Sequence, residues 1–95
     1  MTGTAAVLGV AAARAALARL DGFDGIVVLE SSVPELERLV LELADPRLDY
    51  LLGALPVLPL PDASIDLLVG ADPADAEVAR VLRPGGRAEP AISAS

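Results

Sequence analysis

The sequence predicts an α/β fold on a mainly parallel sheet. Two observations carry this. Short branched apolar runs alternate with helix-period segments along the chain. The clearest of those runs, Ile26-Val27-Val28-Leu29, is apolar at consecutive positions, as a strand covered on both faces must be. Right-handed crossovers follow from that alternation.

The elements are read in order. Ala5–Val10 is a short apolar run and reads as a strand. Ala11–Leu20 is rich in alanine, the best helix former, and reads as a helix. Its small face, Ala12, Ala13 and Ala16, suits close approach to a sheet. Gly22 favours the left-handed position that ends a helix. Ile26–Leu29 is the second strand, with Glu30 at its end. Ser32 with Glu35 three residues on forms a Ser-x-x-Glu capping signal, and Pro34 is tolerated in a first turn. Leu36, Leu39, Val40 and Leu43 then mark one buried helix face. Leu48–Leu52 is a third strand. Gly53–Pro61 holds Pro56, Pro59 and Pro61 and is a loop. Ile65–Val69 is a fourth strand. A short helix is expected from Asp72 or Pro73 to about Leu82, then a sharp Pro84-Gly85-Gly86 turn. Residues 87–92 read as a weak fifth strand, with Pro90 favouring an edge or tail.

Composition narrows the function. The 95 residues are one small domain, expected to span 1–95, with 54% apolar residues and a mean hydropathy of +0.57. No apolar run approaches the roughly 18 residues of a membrane span. The net charge of −7, with seven scattered arginines, disfavours nucleic acid. The chain has no Cys, His, Lys, Asn, Gln or Trp. That removes thiol, Schiff-base and zinc-thiolate chemistry and the usual general base. The N-terminus has no basic stretch ahead of its apolar run, so a cytoplasmic location is expected.

Two stretches then resemble a family. Leu58-Pro59-Leu60-Pro61-Asp62-Ala63-Ser64-Ile65-Asp66-Leu67-Leu68-Val69 resembles the approach to the fourth strand of class I S-adenosylmethionine-dependent methyltransferases. Glu77-Val78-Ala79-Arg80-Val81-Leu82-Arg83-Pro84-Gly85-Gly86-Arg87 resembles the helix and turn that follow there. The resemblance runs from about Ala6 to Arg87. It implies a small Rossmann-like parallel sheet of four to five strands, order 3-2-1-4-5, with three helices. Cofactor would lie across the carboxyl ends of the strands, where ligands of open α/β sheets bind.

Departures from the pattern imply a truncated, degenerate member. In Val7-Leu8-Gly9-Val10-Ala11-Ala12-Ala13-Arg14-Ala15, Gly9 stands where the family has an acid. Ala11, Ala13 and Ala15 stand where it has glycines, whose missing Cβ admits cofactor. The family's acid after the third strand falls at Ala54. Only Glu30 keeps its acid, at the position that accepts hydrogen bonds from the ribose hydroxyls. The final strand hairpin, and a longer segment after the fourth strand, find no counterpart. No catalytic residue and no metal ligand is expected. If cofactor binds, Glu30, Gly53 and Gly70 are the residues that would meet it; otherwise no cofactor is expected.

The bland readings stand beside the sharp ones. Glu30 also suits a plain acid before a helix N-terminus, and the three alanines a packed helix start. Asp62 and Asp66 read as structural acids rather than an acid–base pair. Asp72, Asp75 and Glu77 read as helix-start charges rather than a cation site. Arg83–Arg87 lacks the strand-loop-helix order of a phosphate cradle. Tyr50 and Phe23 are too few for a stacking platform.

The expectation is therefore a non-catalytic methyltransferase-like accessory or interaction subunit. The alternative is an S-adenosylmethionine-dependent methyltransferase, or cofactor binder, completed by oligomerisation. A third reading is a small scaffold that takes an apolar ligand on Leu55–Pro61. Without a covering hairpin, the Ile65–Val69 strand and its weak neighbour are expected to leave an unprotected sheet edge, and this with high apolarity favours a homo-oligomer or a complex with a larger catalytic protein.

Overall fold

The computed structural model describes residues 3–42, 46–53, 57–71 and 74–90. Its elements are β1 (Thr4–Leu8), α1 (Val10–Ala16), a 3₁₀ turn (Leu17–Leu20), β2 (Gly25–Glu30), α2 (Val33–Glu42), β3 (Leu48–Leu52), β4 (Ile65–Val69), α3 (Ala76–Val81) and β5 (Leu82–Glu89). The five strands form one sheet, order β3-β2-β1-β4-β5, and every pairing is parallel. The expected fold class and strand order are therefore both found.

The centre of the sheet is β1. Ala5, Ala6 and Val7 are completely buried, because a strand with neighbours on both sides and cover on both faces meets no water. Small residues here and on α1 bring the helix close: Ala12 and Ala13 are buried against the sheet. The core divides by sheet face. One face joins Val7, Ile26, Val28, Leu39 and Leu67 beneath α1 and α2. The other joins Leu29, Leu58, Leu60, Leu68, Val78 and Val81 beneath α3 and the leucine-proline loop. Among the described residues no polar side chain is buried.

Four boundaries differ from the expectations. β1 stops at Leu8, not Val10: Gly9 turns with φ 95° and Val10 already belongs to α1. The first helix tightens to a 3₁₀ turn after Ala16. α3 starts at Ala76, where the Asp75 carboxylate accepts the Glu77 N–H at 2.9 Å; this side-chain cap fixes the start. β5 begins at Leu82 and runs through the Pro84-Gly85-Gly86 segment. Ile65 pairs with Leu82 and Leu67 with Arg87, so Asp66 alone faces the stretch from Arg83 to Gly86. The expected sharp turn is a bulge inside an edge strand.

One expected core position is also corrected. Leu39 is fully buried and Leu36 half-buried, but Val40 is 45% exposed. Val40 lies about 100° round the helix from Leu39, on a flank that the sheet does not reach. Leu43, Asp72, Pro73 and residues 91–92, expected above in helices or a strand, lie outside the described residues. No described helix is long and apolar enough to cross a membrane.

Leu39 is the one buried residue of α2. Leu39→Ala is expected to cost about 2–5 kcal/mol through lost burial and the cavity left behind. Urea unfolding followed by circular dichroism measures it.

Candidate functional site

The carboxyl ends of β1, β2, β3 and β4 meet along one edge of the sheet. The chain runs from β1 outward to β3, then returns to β4 on the far side of β1. The switch point therefore lies between the ends of β1 and β4, at Leu8–Gly9 and Val69–Gly70. Ligand crevices form at such points because the adjoining loops diverge.

Backbone hydrogen bonds tie these ends together. The Gly9 N–H donates to the Leu29 carbonyl at 2.7 Å, and the Gly53 N–H to the Glu30 carbonyl at 3.2 Å. The Gly70 N–H donates to the Glu89 carbonyl at 2.9 Å. Glu30, Gly53 and Gly70 thus all lie on the carboxyl edge, at the ends of three different strands.

Their surroundings differ. The half-buried Glu30 turns its Oε2 back to accept the Ser32 N–H at 3.0 Å, at the approach to α2. At Gly53 a Cβ would stand 2.6 Å from Cδ of Pro59, so the proline ring already fills that space. Gly70 has φ 104°, and a Cβ there would stand 2.8 Å from the Leu8 carbonyl oxygen. Both glycines permit close contact between parts of the chain itself. Gly9 is the opposite case: its φ is 95° and no atom lies within 4 Å of where a Cβ would stand.

The resemblance sets Gly9 at the family's acid position, two residues ahead of the glycine loop. The structure sets it in the turn itself, with no residue between it and α1. Two places earlier stands Val7, fully buried in the core. Ala13 and Ala15 lie within α1, Ala13 buried and Ala15 exposed. The side chain of Ala11 and the whole of Ala54 lie outside the described residues. The signal for Gly9 was its place as the one glycine between an apolar run and an alanine-rich helix.

A second arrangement was not read from the sequence. It joins α3 to the leucine-proline loop. The Arg80 guanidinium donates to the Leu58 and Leu60 carbonyls, both at 2.9 Å. It also donates to Asp62 at 2.6 Å and to Glu77 at 2.7 and 2.9 Å. Glu77 in turn accepts the Leu58 N–H at 2.9 Å. The Arg80 hydrogen bonds, helped by the Leu58 N–H, hold the Glu77 carboxyl far below its ordinary 4.5, at about 2. Glu77 and then Asp62 push the Arg80 pKa up. Asp62 is thereby a clamp residue. Asp66 accepts the Thr4 N–H at 2.8 Å and lies 3.5 Å from Arg83. Asp75 is the α3 cap. Among the described residues no three of His, Cys, Asp and Glu gather as a metal site would require.

Comparison with solved structures agrees with this topology. The chain is 27% identical to a chain of the complex between the Haloferax volcanii Trm112 methyltransferase activator and a methyltransferase, with a TM-score of 0.74 over 88% of this chain and 42% of that one. It is also 27% identical to an S-adenosyl-L-methionine-dependent methyltransferase of Methanococcus maripaludis, with a TM-score of 0.74 over 93% and 47%. The fold is that of a class I methyltransferase. At 17% identity the geranyl diphosphate C-methyltransferase of Streptomyces coelicolor shares the fold alone, with a TM-score of 0.69 over 90% and 36%. The chain spans less than half the length of these methyltransferases. No protein-family model and no curated protein matches it.

Along the carboxyl edge Gly9 offers open ground and Glu30 an acid at the end of β2, while a side chain at Gly53 or Gly70 would meet Pro59 or Leu8.

Two outcomes follow from this geometry. Gly70→Ala is expected to destabilise by about 1–3 kcal/mol, because a Cβ meets both positive φ and the Leu8 carbonyl; chemical denaturation measures it. Glu77 is the pH-sensitive group of the clamp. Its folded pKa is lowered to about 2, so its stabilisation is complete above about pH 4.5 and is lost as pH falls toward 2. Glu77→Gln should lower the melting temperature at pH 7 and flatten its fall between pH 5 and 2.5. An unchanged acid limb would show that the clamp contributes nothing there.

Proposed function

We propose that this chain is a cytoplasmic, non-catalytic methyltransferase-like subunit that acts by binding another protein and uses no cofactor of its own. The observation that carries this reading is the filled ground at the carboxyl edge. Ala11, Ala13 and Ala15 stand where the resemblance places the glycines that admit cofactor, and at the ends of β3 and β4 Gly53 and Gly70 accommodate Pro59 and Leu8 of the chain itself. Glu30, the retained acid, accepts its own chain's Ser32 N–H. The likeness to the Haloferax volcanii methyltransferase supports the partner half of the reading, since that methyltransferase was solved with an activator protein.

A second reading rests on one observation. Gly9, at positive φ beside the switch point, leaves open the space where a side chain would stand. A methyltransferase, or cofactor binder, completed by a second chain would use that turn and Glu30, with backbone near Gly53 and Gly70.

Calorimetric titration with S-adenosylhomocysteine separates the two. The expected outcome is no heat up to millimolar ligand from protein shown to be folded. Micromolar binding would overturn the non-catalytic reading, and loss of that binding in Glu30→Ala would locate the site.

A further inference from the structure

We draw no further inference here: the strongest candidate, the exposed apolar surface patch of Val33 and Val40 on α2 and Leu52 on the edge strand β3, carries nothing, because nothing in the structure shows what covers it.

Discussion

Much of this fold depends on one guanidinium. Between β3 and β4 the chain has no described helix, yet that sheet face must still be covered. Leu58 and Leu60 cover it from a proline-rich loop that cannot form a regular hydrogen-bond ladder. Arg80 supplies what regular structure would have supplied: it takes the Leu58 and Leu60 carbonyls while Glu77 takes the Leu58 N–H. Buried loop backbone is tolerated only when its polar groups are satisfied in this way. Two backbone bonds, from Ala63 N–H to the Arg80 carbonyl and Ser64 N–H to the Val81 carbonyl, carry the same attachment to the start of β4.

The fold was legible where physics is local. The continuous branched run Ile26–Leu29 located β2 to within a residue, because a strand buried on both faces needs such side chains, and shorter apolar runs interrupted by Asp49 and Asp66 located β3 and β4. Errors fell where a boundary depends on tertiary partners. An apolar run cannot say where β1 stops; Gly9 stops it through a positive φ and a bond to Leu29, both features of the folded chain. A Pro-Gly-Gly run reads as a turn in isolation, and pairing of Leu82 and Arg87 with β4 turned it into a bulge. Val40 matched the helical period but stood on a flank with no sheet beneath it.

The candidate site was legible in place more than in use. The ends of β2, β3 and β4 were identified from Glu30, Gly53 and Gly70, and topology brought them to one edge. What each does there depends on contacts across long separations in sequence: Pro59 on Gly53, Leu8 on Gly70. No spacing rule encodes those contacts. The Glu77–Arg80 pair is a plain i, i+3 helical pair in sequence, and its grip on a loop some twenty residues away is a tertiary fact.

The bulge in β5 gives the molecule a polarity of growth. A sheet with two open margins can extend from either side, and repeated joining of that kind leads to fibres. Here Pro84 and the Arg83–Gly86 bulge blunt one margin and leave β3 regular. Among the described residues the two margins therefore differ in how readily a further strand could pair with them, and in a chain that is more than half apolar that asymmetry disfavours growth from both sides into an aggregate.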